Sequence, residues 1–416
     1  MKGSDNPAFS AQFRDLAEAV STPKRRRQLR ILFLADDRHP ANVVQDHIAA
    51  LKHTPGSQVF VVNPIHADLP LWSDSWNIDL ILIHYSIFIL GDYFLPPQWR
   101  EFVRKFPGPR AQIIQDEHRH IRRMRQRMAE LGVNAVFSSL EVHNLKKVYD
   151  SSDVAEIKFY SCLPGYIAND FKTWAPPPIS ERPLDIVYRG RDLPFKLGRM
   201  GQEKRAIGEK MRALSCVHGL RIDIASTEDS RIYGKSWTEF LMSGRATLGV
   251  EGGASIFDFD DNIEPAIESY LKENPKADFE DVWSAVLAPH EGNVEHRTIT
   301  PKLLEAICAK TALVLYPGRY RGLLEAGRHY IALERDGTNA EEVVGRIRDT
   351  AFLQELVDRA YDDVMTNESL TMHFYATRVM SVLSGLHRQS QRQTGQIVQK
   401  WRTFRWSRSF APKATG

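Results

Sequence analysis

Polar and charged side chains gather where the apolar runs of this chain end. Asp36-Asp37-Arg38-His39 follow the run Leu29 to Ala35, His84 and Tyr85 follow Ile78 to Ile83, and Gln115-Asp116-Glu117-His118-Arg119-His120 follow Ala111 to Ile114. A carboxylate or imidazole so placed can take a proton from a hydroxyl group, which makes His84, Asp116 and Glu117 the candidate bases. A second group is cationic. Arg189, Arg191 and Lys196 lie in RGRDLPFK, between the run Leu184 to Tyr188 and a helical pattern over Gln202 to Leu214. Arginine forks beside a helix N-terminus suit a diphosphate. A third group is glycine-rich. Gly252 and Gly253 follow the run Ala246 to Val250 and allow a ligand to approach the backbone. Tyr320-Arg321-Gly322 lie in PGRYRG, where backbone N–H groups can cradle phosphate oxygens. Each feature also has a plainer use: Asp116 and Glu117 as first-turn helix acids, the arginines as surface charges, the glycines as turns.

The elements that must position these groups alternate. Leu29 to Ala35, Gln58 to Val62, Ile78 to Ile83, Ala111 to Ile114, Ala135 to Ser138 and Ile157 to Tyr160 predict six strands. Helical patterns fill the gaps over Asn42 to Leu51, Pro97 to Lys105, Ile121 to Leu131 and Leu140 to Val148. The prolines of WAPPP (Trp174 to Pro178) predict a linker. Beyond it come strands at Leu184 to Tyr188, Leu220 to Ala225, Ala246 to Val250, Ala312 to Tyr316 and near His329 to Leu333. Helices are predicted at Trp237 to Ser243, Ile263 to Lys272, Phe279 to Leu287 and from Pro301, then at Ala340 to Asp349, Phe352 to Asn367 and Leu370 to Leu386. Strands alternating with helices predict parallel α/β sheets covered on both faces, with ligands at the C-terminal strand ends. Phe13, Leu16, Ala17 and Val20 suggest a short amphipathic helix ahead of the basic cluster Lys24 to Arg27. The expected division is a basic leader (1–28), a first α/β domain (29–178), a second (179–368), a crossing helix (369–390) and a tail (391–416). Within the helix, Phe374, Val379, Met380, Val382 and Leu383 are the candidates for the buried face.

Composition excludes several classes. The chain has 416 residues, 43% hydrophobic and 26% charged, with a net charge of +3. That is ordinary for a globular protein and too weakly basic to imply nucleic acid. The three cysteines have no metal or disulfide spacing, which suits a reducing cytosol. The longest apolar stretch, Leu80 to Leu90, is interrupted by His84, Tyr85 and Ser86, so no membrane span is expected. In the tail, Arg392, Lys400, Arg402, Arg405 and Arg408 interleave with Trp401, Phe404, Trp406 and Phe410. This pattern suits an anionic membrane surface. Asp258, Asp260 and Asp261 resemble an Asp-x-Asp metal motif, but they lie in a loop of a chain with the wrong α/β order for it, and no metal is expected.

PKLLEA at Pro301 to Ala306, followed by a buried strand and a glycine loop, resembles the donor half of GT-B glycosyltransferases. GVEGGASIFDFD (Gly249 to Asp260) resembles a bacterial subgroup of them associated with polysaccharide or cell-surface glycan synthesis. The resemblance implies two Rossmann-like domains facing a cleft, with a C-terminal helix crossing back. It implies a nucleotide-sugar co-substrate held by the second domain, no other cofactor, and a glycan or lipid-linked acceptor held by the first. It implies a ribose contact from Glu305, leaving-group stabilisation by Arg189, Arg191 and Lys196, and donor contacts from Gly252, Gly253, Tyr320, Arg321 and Gly322. A cytoplasmic location, peripheral at the inner membrane face, goes with it. Many retaining members carry a glutamate pair in this region. Arg297 stands at the first position, with Glu291 and Glu295 as substitutes within reach of it in sequence. An epimerase-type relative and a degenerate scaffold subunit are the alternatives.

Overall fold

A computed structural model of the chain describes residues 12–16, 28–69 and 77–408, with the side chains of 13, 169, 172 and 394–408 left out. The first sheet is built from β1 (Phe13–Asp15), β2 (Leu29–Leu34), β3 (Ser57–Val62), β4 (Leu80–Ile83), β5 (Arg110–Ile114), β6 (Ala135–Ser138) and β7 (Lys158–Ser161). Its order is β1-β7-β6-β5-β4-β2-β3, and every pairing is parallel. Four helices cover it: α1 (Asn42–Lys52), α2 (Pro97–Lys105), α3 (Ile121–Glu130) and α4 (Val142–Tyr149). The six predicted strands are present. The residues of β1 were expected to be helical; instead Phe13 to Asp15 pair with Phe159 to Ser161. The open backbone edge of β7 accounts for this, since an unpaired edge takes up any extended segment beside it. The rest of the expected leader helix, Ala17 and Val20 included, and its basic cluster lie outside the described residues.

The second sheet contains β8 (Leu184–Arg189), β9 (Ile222–Ala225), β10 (Gly244–Gly249), β13 (Ala312–Leu315) and β14 (Tyr330–Ala332), in the order β14-β13-β10-β8-β9, again all parallel. Its helices are α5 (Arg199–His218), α6 (Lys235–Ser243), α7 (Ile263–Glu273), α8 (Phe279–Val282), α9 (Pro301–Cys308), α10 (Ala340–Arg348) and α11 (Thr350–Met365). A small antiparallel pair, β11 (Gly252–Ala254) with β12 (His296–Thr298), stands apart from both sheets. It had no signal in the sequence, because three-residue strands rich in glycine show no alternation.

The last helix, α12 (Met372–Arg408), runs well past its predicted end at Leu386. Its first turns return to the first sheet, where Tyr375, Val379 and Leu383 are fully buried against Ile31, Phe33 and Leu51. Burial of the Val379 and Leu383 side chains is worth about 1.5–3 kcal/mol each. Tyr375 and Ala376 take the core position expected of Phe374, which is only half-buried. The chain crosses between the sheets twice, and the crossings are tied together. Ile167 N–H donates to Leu370 O (2.8 Å) and Met372 N–H to Ile167 O (2.9 Å). The architecture is therefore α/β with two parallel sheets, the C-terminal strand ends facing a common cleft and a helix returning, as the GT-B resemblance implied. Among the described residues, no helix is long and apolar enough to cross a membrane.

Candidate active site

Loops at the strand ends bring the two sheets together. Asn42, at the start of α1, exchanges hydrogen bonds with Gly234: its amide donates to Gly234 O (3.4 Å) and its oxygen accepts from Gly234 N–H (3.0 Å). Asp258 N–H donates to His118 O (2.8 Å), and His120 Nδ1 lies 2.8 Å from the Asp261 carboxylate. Gly165, in the first crossing, packs so tightly that a Cβ there would sit 2.6 Å from Pro301, the first residue of α9. The start of α9 and the start of α1 are thereby held on opposite walls of one cleft.

The α9 wall carries Lys302 and Glu305, one helical turn apart and so on one face. Lys302 Nζ donates to Arg189 O (2.7 Å) and lies 4.3 Å from the centre of the Tyr188 ring. Burial, with the charge of Lys204 adding to it, pushes the Lys302 ammonium down to about 7, although Glu305 opposes the shift. Glu305 Oε2 accepts from Trp237 Nε1 (2.7 Å), and burial raises its carboxyl above the ordinary range. Lys204, on α5, is likewise lowered by burial and by Arg191, while Asp116 works against the shift.

The α1 wall carries Asp46. Burial pushes its carboxyl up to about 7, and the charges of Asp170 and Glu305 add to the shift. It has no hydrogen bond or ion pair among the described residues. A carboxyl poised near neutrality on one wall, with Lys302 poised near neutrality and Lys204 lowered on the other, is an arrangement suited to moving a proton on one wall and meeting negative charge on the other. Sequence reading missed Asp46, Lys204 and Lys302. The signals were slight: Lys302 and Glu305 share helical spacing, and Asp46 lies in a short polar run, Gln45 to His47, of an amphipathic helix.

Of the three candidate bases, only Asp116 is exposed at the strand end, and its charge reaches Lys204. His84 is fully buried, accepts at Nδ1 from Ser86 N–H (3.2 Å) and packs against Phe33 and Tyr85. Burial holds its imidazole well below its usual range, so it is neutral and out of reach of the cleft. Glu117 turns into the first unit, where Ser138 Oγ and Tyr149 OH both donate to it at 2.6 Å.

Burial pushes the Glu117 carboxyl up to about 7. The unfolded chain ionises this group near 4.3. The protonated folded form is therefore fully favoured below that value, and stability falls as pH rises to about 7. The loss is about 4 kcal/mol. Glu117→Gln is expected to remove that fall, so that urea unfolding between pH 4.5 and 8 shows a flatter curve than wild type. Parallel curves for the two proteins would refute the assignment.

The cationic candidates are divided. The Arg189 guanidinium is committed to Asp223 through two bonds (2.7 and 2.9 Å) and stacks 4.2 Å over Phe240. Lys196 is paired with Glu264. Arg191 is exposed, with no ion pair among the described residues. The N-terminus of α5 is already occupied: Arg199 N–H donates to Glu291 Oε2 (3.2 Å), as does Trp283 Nε1 (2.9 Å), and Met200 N–H donates to Ser255 Oγ (3.3 Å).

Gly252 and Gly253 serve the β11–β12 pair. Gly253 has φ +119°, and a Cβ there would lie 2.0 Å from His296 O. Tyr320 is fully buried, its OH donating to Tyr316 O (2.6 Å) and its N–H to Glu251 Oε1 (2.7 Å). Arg321 reaches the first unit, donating from Nη2 to Ser161 Oγ (3.0 Å). Gly322 has φ +71° and open space around it. Arg297 lies 2.7 Å from Glu295 and 3.6 Å from Glu251. Glu291 and Glu295 are thus both engaged locally. The aspartate triplet is split as well: Asp258 caps α7 through Asn262 and Ile263 N–H (3.1 and 3.0 Å), while Asp261 turns to His120. Among the described residues no group of three or more His, Cys, Asp or Glu could hold a metal ion.

No protein-family model and no curated protein matches the chain. Solved structures do. TarM matches at 10% identity and a TM-score of 0.41, over 74% of this chain and 54% of its own, so the chain spans about half the length of TarM. Anabaena HepE, in complex with UDP and glucose, matches at 10% identity and 0.49, over 86% of this chain and 100% of its own. T4 phage β-glucosyltransferase matches at 12% identity and 0.48, over 85% and 96%. These are distant likenesses.

Proposed function

We propose that the chain is a GT-B glycosyltransferase that moves a sugar from a nucleotide-sugar donor to a hydroxyl acceptor, in polysaccharide or cell-surface glycan synthesis. The observation that supports this most directly is the cleft itself. The charge of Glu305, from the second unit, reaches the Asp46 carboxyl, which is near neutrality, and Lys302 and Lys204 lie on the Glu305 side. In this reading residues 29–178 hold the acceptor and 179–368 the donor. The acceptor oxygen attacks the anomeric carbon, the bond from that carbon to the diphosphate oxygen breaks, and the acceptor proton passes to Asp46. Asp116 orients the acceptor at the same rim. Negative charge grows on the leaving diphosphate, where Lys302, Lys204 and Arg191 meet it. Glu305 binds the ribose. Arg189 positions Lys302 through its backbone oxygen, and Lys196, with Gly252 and Gly253, keeps the loop in shape. The reaction is proposed to need no metal.

A thermal-shift screen of the whole chain against UDP, GDP, dTDP, CMP and ADP, with and without EDTA, tests this. A ligand at a hundred times its Kd stabilises by about 2.7 kcal/mol. One nucleotide is expected to raise the Tm, and to do so equally in EDTA. Silence from all five would favour the scaffold alternative, for which the engaged Arg297, Glu291 and Glu295 are the motive.

The basic and aromatic tail is proposed to hold the enzyme at an anionic membrane surface, on the cytoplasmic side. From residue 394 onward its side chains lie outside the described residues. A chain ending at Gln391 is expected to lose binding to phosphatidylserine liposomes and to keep its nucleotide response. Equal liposome binding by both forms would refute the membrane role.

A further inference from the structure

Beside the two chain crossings lies a pocket of about 600 Å³, separate from the polar cleft. The first crossing divides them. Gly165 packs on Pro301 and Val43 toward the cleft, whereas Leu163 and Tyr166 line the pocket. Asp46, Lys302 and Glu305 do not line it. The walls come from every part that meets there: Val142 from the first unit, Leu323 from the second, Leu163 and Tyr166 from one crossing, Leu370 and Phe374 from the other. Its size lies within the range that small-molecule sites span.

One buried polar group in this mixed lining is unsatisfied. The Arg321 side chain is 10% exposed. Its Nη2 donates to Ser161 Oγ, but Nη1 is buried with no hydrogen-bond partner, and the nearest carboxylate oxygen, on Glu141, is 4.0 Å away. Glu141 lies closer to Arg319, at 3.2 Å. A buried guanidinium N–H without an acceptor is costly, and a bidentate acid is the group whose geometry matches it. The backbone that carries this side chain is strained. Tyr320, Arg321 and Gly322 have φ of 44°, 58° and 71°, three left-handed residues in succession, two of them not glycine. Such strain persists where the fold over-determines it, as at ligand clamps. Exposed Lys146 and His143 stand on the lining, against the acids Asp15 and Glu141.

We propose that this pocket binds a small organic acid, a carboxylate or phosphate monoester on a compact apolar body, with Arg321 as its anchor. A ligand there touches both sheets and both crossings at once, so it ties the two units in one relative orientation. The site uses no part of the donor cleft, and the proposal stands apart from the glycosyltransferase reading.

The test titrates the full chain with octanoate, octyl phosphate and 1-octanol, by calorimetry and thermal shift, below their aggregation concentrations. Saturable one-to-one binding of octanoate, octyl phosphate or both, at least tenfold tighter than octanol, is expected, and the stronger of the two identifies the acid. Arg321→Gln should weaken that binding at least tenfold. Lys146→Glu, on the surface, should weaken it severalfold without disturbing the fold, and Glu305→Gln should leave it unchanged. Equal binding of octanol, a non-saturating response to both acids, or unaltered affinity in Arg321→Gln and Lys146→Glu would overturn the proposal.

Discussion

Asp46→Asn is expected to lower the turnover number for sugar transfer by about 10²- to 10⁴-fold, the usual contribution of a positioned general base. The argument rests on environment. Asp46 is half-buried on α1, without a hydrogen bond or ion pair among the described residues, and its carboxyl is pushed up to about 7 by burial and by Asp170 and Glu305. A base must be ionised to accept a proton, so kcat/KM should rise as pH passes upward through about 7. Lys302, pushed down to about 7, loses its charge over the same range, and charge neutralisation at the leaving group should fade above it. The expected profile of kcat/KM is a bell centred near neutrality. Asp46→Asn should retain its nucleotide thermal shift, since the residue stands on the acceptor wall. It should also be more stable than wild type above pH 7, because it no longer ionises a buried carboxyl. Glu117→Gln should transfer sugar at close to the wild-type rate. Turnover of Asp46→Asn within threefold of wild type would remove Asp46 from the mechanism.

Glu305→Ala is expected to weaken nucleotide binding by about 1–3 kcal/mol, roughly 5- to 150-fold, through loss of a hydrogen bond to ribose. One oxygen of Glu305 is fixed by Trp237 Nε1 at 2.7 Å, and the other has no protein donor among the described residues. The indole thus sets the direction in which the remaining oxygen points. Trp237→Phe should cost less than Glu305→Ala, because the carboxylate survives while its orientation loosens. Isothermal titration of the nucleotide identified by the thermal screen measures both. Unchanged affinity in Glu305→Ala would end the ribose assignment, and a larger loss in Trp237→Phe than in Glu305→Ala would reassign the contact to the indole.

Several parts of this protein are legible in its residues alone. Apolar runs such as Leu29 to Leu34 and Ala312 to Leu315 can satisfy their hydrophobicity only as strands buried on both faces, which dictates parallel sheets with helices between them. The proline run before β8 separates two such sets. The PKLLEA helix start places Glu305 by local geometry, since Pro301 fixes the first turn and Glu305 follows one turn later. The tertiary structure decided which side chains meet. Asp116 and Glu117 are neighbours in sequence, yet one is exposed at the strand end and the other is buried among Ser138 and Tyr149. Asp46, Lys204 and Lys302 look like unremarkable helix-surface charges until two distant walls close around them. Their shifted protonation comes from lost water and mutual charge, and neither exists in a sequence pattern. Arg189, Lys196, Tyr320 and Arg321 have the residue types the chemistry asks for, but neighbours from far along the chain claim each of them: Asp223, Glu264, Glu251 and Ser161. Local periodicity fixes the elements because backbone hydrogen bonding and burial act over a few residues. Contact between chain segments tens to more than a hundred residues apart fixes the site, because desolvation and charge pairing act across space.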